Sequence, residues 1–189
     1  MSWKPEVEEI ERRRAHALVL GGEEAVARQH ARGRMTARER IAALVEPESF
    51  REHGTLAGAS ETDAGGRTRF TPANVVVGGA RIDGRPVVVG ADDFTIRGGA
   101  YSPAGLRKGI YADELAVRRR VPLVRLLEGG GASVAGATGV RGRSGYDWTA
   151  SSPLNLLCME ALAVVPVACA ALGPVAASRR RAWSRPTSR

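Results

Sequence analysis

Ala73-Asn74-Val75-Val76-Val77-Gly78-Gly79 and Pro86-Val87-Val88-Val89-Gly90-Ala91 are two β-branched runs joined through Asp83-Gly84. Valine stacks suit a pleated, half-buried surface. Asp-Gly between such runs accepts the positive φ angles of a tight hairpin turn. Ser102-Pro103 follows, with a capping serine before a proline in the first turn, so a helix is expected from there to about Val117. Pro122 to Leu127 makes a third buried strand, ending in Glu128-Gly129-Gly130-Gly131. A second Ser-Pro, Ser152-Pro153, opens a helix through about Ala163, and Val164 to Leu172 makes a fourth strand. Strand, strand, helix, strand, helix, strand describes an α/β domain with helices packed on a sheet.

Working toward the N-terminus, residues 3–30 are charged, with scattered apolar positions at Val7, Ile10, Leu18 and Leu20. That spacing predicts an exposed helical arm, interrupted at Gly21-Gly22. Thr36-Ala37-Arg38-Glu39 is a capping box and starts a helix to about Val45, which Pro47 keeps from extending. The arm is assigned residues 1–50. At the other end, residues 177–189 are rich in Arg, Ser and Pro without apolar period, and are expected to be disordered.

The 189 residues are 43% hydrophobic and 5% aromatic, ordinary for a globular chain whose core is Val, Leu, Ile and Ala. The net charge is +8, but five arginines fall in the last thirteen residues, and without them it is +3. The first 52 residues carry ten basic and ten acidic side chains. A near-neutral body argues against a nucleic-acid partner, since a basic tail alone binds in a salt-sensitive, sequence-blind way. No apolar run is long enough to cross a membrane, and the start lacks the pattern of a signal peptide, so the cytoplasm is expected. Cys158 and Cys169 are expected to be buried thiols, with neither a disulfide nor a zinc site. No metal site is expected. Dinucleotide and phosphate-loop fingerprints are missing, and His16, His30 and His53 receive no catalytic role.

Three ordered segments carry a resemblance. The first is Gln29-His30-Ala31-Arg32-Gly33-Arg34-Met35-Thr36-Ala37-Arg38-Glu39-Arg40-Ile41, with Pro47 to Phe50 after it. The second is Asp92-Asp93-Phe94-Thr95-Ile96-Arg97-Gly98-Gly99-Ala100-Tyr101, followed by Lys108 in the next helix. The third is Val124 to Ala132. Together they resemble the carboxyltransferase (beta) subunits of biotin-dependent acyl-CoA carboxylases, of the propionyl-CoA, methylcrotonyl-CoA and acetyl-CoA types. The resemblance covers residues 29–176.

It implies a crotonase (ClpP/crotonase-like) fold of ββα units, with residues 51–176 forming part of the N-terminal carboxyltransferase domain. It also implies transfer of a carboxyl group from carboxybiotin, held on a partner carrier protein, to the α-carbon of an acyl-CoA, a step of fatty acid metabolism. The implied partners are acyl-CoA, a biotin carboxyl carrier or biotin carboxylase subunit, and further copies in a homo-oligomer. The α-proton is attributed to removal by biotin, and an enolate oxygen must then be stabilised. Preorganised backbone N–H groups do this well. Gly130 and Gly131 match the family's oxyanion-hole glycines. Gly98 and Gly99 are candidates for the CoA side of the pocket, and Arg97 and Lys108 for its phosphates. Taken without the resemblance, both glycine groups are simply turns and Lys108 a solvated charge.

Two departures stand out. The family's Asp-Ser-Gly-Gly-Ala-Arg is Glu128-Gly129-Gly130-Gly131-Ala132-Ser133 here. After Val175 the family would continue with a Gly- and Ala-rich turn, whereas this chain turns to Arg-Arg-Arg-Ala-Trp-Ser-Arg-Pro. The expectation is a frameshift or truncation, with a natural basic tail as the alternative. On that expectation the fold is incomplete and the chain is inactive alone. The alternative function is a non-catalytic acyl-CoA-binding or subunit-interaction module completed by a separate chain.

Overall fold

A computed structural model describes residues 2–66, 68–100, 102–130 and 153–175. The candidate Gly131 and the arginine-rich end of the chain lie outside them.

The arm consists of α1 (Lys4–Leu18), α2 (Glu23–His30) and α3 (Ala37–Leu44). After it come a short strand β1 (Arg51–His53), a hairpin of β2 (Gly58–Thr62) and β3 (Thr68–Pro72), then β4 (Val75–Ile82) and β5 (Arg85–Asp92). A single 3-10 turn (Arg97–Gly99) leads to α4 (Pro103–Arg119), β6 (Leu123–Gly129), α5 (Pro153–Val164) and β7 (Val167–Val175). The main sheet runs β1-β4-β5-β6-β7, and among the described residues β2 and β3 pair only with each other. β1, β4 and β5 are antiparallel neighbours; β5, β6 and β7 are parallel.

The β4–β5 hairpin pairs Ile82 with Arg85. Asp83 and Gly84, left between them, both take positive φ, at 49° and 75°. Those angles twist the turn in the same sense as the strands. Alternation then sends each valine run to both faces. Val76, Ala80, Val87, Val89 and Ala91 pack with Leu20, Ala37, Ile41, Val45 and Leu126 under the arm. Val75, Val77, Val88 and Leu123 pack with Ala112, Leu115 and Ala116 of α4 and with Ala161 and Val165 at the end of α5. Four arm residues are thus core residues.

The capping box at Thr36 forms as expected. Thr36 Oγ1 accepts from the Glu39 N–H at 3.3 Å, and the Glu39 carboxylate accepts from the Thr36 N–H at 2.7 Å. Those contacts, with that of His30, hold the Glu39 carboxyl below its ordinary range. The fourth strand is shifted: Val164 ends α5, Val165 is buried against α4, and β7 spans Val167–Val175. β1, β2 and β3 were not separately expected. Their sequences, Arg-Glu-His, Gly-Ala-Ser-Glu-Thr and Thr-Arg-Phe-Thr-Pro, carry no apolar alternation; β2 is mostly exposed, and β1 and β3 are partly buried. The two cysteines are half-buried rather than enclosed, and neither is in a disulfide. Burial still pushes both thiols above their usual value. Among the described residues no helix is long and apolar enough to cross a membrane.

Candidate active site

The C-terminal end of β6 is where the arm, the sheet and the Gly98-Gly99 turn meet. Its last side chain, Glu128, is fully buried. A carboxylate taken out of water needs paired charge and hydrogen bonds, and the arm supplies them. Gln29 Nε2 donates to Glu128 Oε2 at 2.9 Å, Arg34 Nη1 to Oε1 at 3.2 Å, and the buried Arg40 guanidinium forms an ion pair with it. The Glu128 N–H in turn donates to Asp92 Oδ2 at 3.1 Å. Gly173 of β7 gives the carboxylate room, since a Cβ there would collide with it.

The long arm motif therefore has a structural meaning. Its Gln, two Arg and capping box lie along α2, the α2–α3 connection and α3 so that three donors converge on one acid. Arg38, in the same motif, turns the other way. It binds Glu52 Oε2 at 2.8 Å, and Lys108 Nζ binds Glu52 Oε1 at 3.2 Å.

The Gly98-Gly99 turn is pressed against this end of β6. Gly98 and Gly99 take φ of 60° and 66°. A Cβ on Gly99 would stand 2.6 Å from the Glu128 carbonyl oxygen and 2.8 Å from Gly129 Cα. No L side chain fits that approach. The Gly130 N–H donates to the Gly98 carbonyl at 3.0 Å. The structure thus brings Gly98, Gly99 and Gly130 together, from two motifs about thirty residues apart, and it commits the Gly130 N–H to the tie between them.

Just before this turn, Asp93 is buried. Its Oδ1 accepts from the Thr95 N–H and hydroxyl, while Oδ2 has no hydrogen-bond partner among the described residues. Burial pushes the Asp93 carboxyl above its ordinary value, against those two hydrogen bonds. Asn74, also buried, donates to the Ala100 carbonyl and accepts from the Ser102 hydroxyl at 2.8 Å. It thereby fixes the start of α4 beside the glycine turn. Ser102 caps that helix, accepting from the Gly105 N–H at 2.9 Å.

Arg97 also adopts positive φ, at 52°, and borders two clefts of about 310 and 320 Å³. The first lies between the β2–β3 hairpin and the N-terminus of α4, and Arg107 lines it as well. Two guanidinium groups and the positive end of a 17-residue helix, set against one lining carboxylate, Glu61, favour an anion there. Lys108 does not share this cleft. Its ammonium is buried in the pair with Glu52, and burial lowers its pKa despite that pair. Arg107 was not singled out from sequence. One helical residue turns the side chain by about 100°, and only the packing of α4 decides that position 107 faces the cleft and 108 faces inward.

The matches to known proteins follow the same segments. Residues 28–177 match the carboxyl transferase domain family. The chain belongs to that family. The human mitochondrial propionyl-CoA carboxylase beta chain is 35% identical over 172 residues, 89% of this chain and 31% of that one. A Mycobacterium tuberculosis acetyl-/propionyl-coenzyme A carboxylase beta5 subunit is 38% identical over 127 residues, 67% of this chain and 23% of the relative. Among solved structures, a transcarboxylase 12S hexamer with methylmalonyl-coenzyme A bound superposes with a TM-score of 0.60 at 32% identity, over 71% of this chain and 26% of that one. A single-chain long-chain acyl-CoA carboxylase superposes at 0.66 and 29% identity, over 87% and 17%. This carboxyl transferase domain therefore has the crotonase-like α/β fold. It spans about a third or less of the length of the relatives it matches.

Proposed function

We propose that the chain forms the acyl-CoA side of a carboxyltransferase site, where a carboxyl group passes from carboxybiotin to the α-carbon of an acyl-CoA. The observation that carries this reading is the junction of the Gly98-Gly99 turn with the end of β6. It is backbone without side chains, held by a buried charge cluster, beside a cleft that favours anions. Arg97, Arg107 and the α4 N-terminus are suited to the phosphates of CoA. As the α-proton leaves, negative charge builds on the thioester oxygen, and a backbone N–H aimed at it lowers the barrier. One such donor is worth about 2.7–4 kcal/mol. Because the Gly130 N–H is already given to Gly98, we assign oxyanion donation to Gly131 and anchoring to Gly130. Biotin, on a carrier protein, supplies the carboxyl group, and the chain acts in the cytoplasm within a homo-oligomer.

The test is calorimetry of acetyl-, propionyl- and a longer acyl-CoA against the folded chain. Saturable binding that weakens about tenfold or more in Gly131→Val and in Arg107→Glu is expected. No binding by a chain with native circular dichroism would overturn the reading. Because the chain forms one side of the site, binding without carboxyl transfer is expected of it alone; binding that does not weaken in Gly131→Val would leave a non-catalytic acyl-CoA-binding module instead.

A further inference from the structure

At the end of the sheet away from the glycine junction, three arginines from three elements border one cleft. Arg51 of β1, Arg81 of β4 and Arg119 of α4 line a recess of about 190 Å³, with Ser49, Gly79 and Val121. Strand register explains the meeting. Arg51 sits opposite Gly79, and Arg81 lies two residues further along β4, on the same face. Val75 and Val77 share that face and pack against α4. A Cβ added to Gly79 would stand 3.2 Å from Arg119 Nη1, so the missing side chain lets the guanidinium lie close over the strand.

Two of the three guanidinium groups are held by backbone. Arg51 Nη1 donates to the Glu48 and Phe50 carbonyls at 2.6 and 3.2 Å, and Arg81 Nη1 to the Gly84 carbonyl at 3.0 Å. None of the three arginines has an ion pair among the described residues, and none of the described residues lining the recess is acidic. Arg85, Arg118 and Arg120 stand next in sequence to the lining residues and add to the positive charge. Three carboxylates flank the recess, Glu46, Glu48 and Asp83, and the first of them accepts from the Gly84 N–H. Glu52 is committed to Arg38 and Lys108, and Glu114 lines a separate cleft. The C-terminus of α4 brings the negative end of its dipole here, which the arginines of its last turn offset. Six cations against three carboxylates and one helix end leave the region positive.

We propose that this recess binds a phosphate group, at a site separate from the acyl-CoA cleft. The two lie toward opposite ends of α4, whose 17 residues span about 25 Å. Guanidinium groups present paired N–H donors that match two phosphate oxygens at once. Pockets for whole cofactors run from about 300 Å³ upward, so the recess takes one or two phosphate groups and no more. The ligand is either a free phosphate or diphosphate, or the phosphoryl end of a nucleotide whose remainder stays outside. The site does not rest on the acyl-CoA reading.

The test is calorimetry of inorganic phosphate, pyrophosphate and ATP against the full chain at constant ionic strength, with circular dichroism to confirm folding. Titrations are run on the wild type and on Arg107→Glu, which disables the other cleft. A saturable site should persist in Arg107→Glu. In that background Arg81→Gln and Arg119→Gln should each weaken it about tenfold, the loss of one hydrogen bond to a charged group. All three arginines of the recess are exposed, so these variants should fold. Pyrophosphate binding at least as tightly as ATP marks a free anion as the ligand, and tighter ATP marks a nucleotide; both support the site. No saturable binding in Arg107→Glu would overturn the proposal. So would binding indifferent to Arg81→Gln/Arg119→Gln, which would place the anion elsewhere, on the arginine-rich end of the chain for example.

Discussion

Replacing Glu128 by Gln keeps the side-chain shape and removes one buried charge. In the folded chain this leaves the Arg40 guanidinium, 3% exposed, without its counter-charge. Arg40 has little else to turn to. Its Nη2 reaches the Leu172 carbonyl at 3.4 Å, and its Nη1 has no hydrogen-bond partner among the described residues. Breaking a buried pair from one side costs about 3–5 kcal/mol, because the remaining charge stays desolvated. Arg34 is 32% exposed and adds little, since water screens it. Against a total stability of about 5–15 kcal/mol, Glu128→Gln should cost about a fifth of the folding free energy or more. Urea unfolding followed by circular dichroism reads this as a lowered midpoint at unchanged slope. Arg40→Met alone should cost a similar amount, and Glu128→Leu/Arg40→Met much less than the two single changes together, because an apolar pair needs no compensation. Additive single and double variants, or a Glu128→Gln loss under about 1 kcal/mol, would refute the claim that this pair locks the arm to the sheet.

Gly99→Ala places a methyl group 2.6 Å from the Glu128 carbonyl oxygen. Displacing that backbone should cost about 1–3 kcal/mol and weaken acyl-CoA binding, as calorimetry would register. Thr36→Ala removes the cap of α3 and should cost about 0.5–2 kcal/mol in the same urea experiment. For Asp93 the sign follows from its raised pKa. The folded state holds the proton to higher pH than the unfolded chain, so this group favours folding most below the unfolded value near 3.8, and that contribution fades as pH rises through the raised folded value. Asp93→Asn should flatten the stability–pH curve in the window just above pH 3.8 and leave neutral stability equal or higher. A curve that keeps its wild-type shape would count against the assignment.

The sequence by itself determined the elements with strong local patterns. The Val75–Ile82 and Arg85–Asp92 hairpin, α4 from its Ser102 cap, and the Thr36–Glu39 capping box rest on alternation, turn chemistry and caps, which act over a few residues. The resemblance placed the family on three motifs for the same reason, since each is a contiguous string. What the sequence could not show was where those strings meet. That Gln29, Arg34 and Arg40 close on Glu128, that Gly98 accepts the N–H of Gly130, and that Arg107 rather than Lys108 faces the cleft are matters of three-dimensional packing. Glu128 looked like a departure beside a glycine turn, and it is the buried acid on which the arm is fastened. Only tertiary structure decides such contacts, because burial sets how strongly a charge must be paired, and burial is a property of what surrounds a residue and not of its neighbours in the chain.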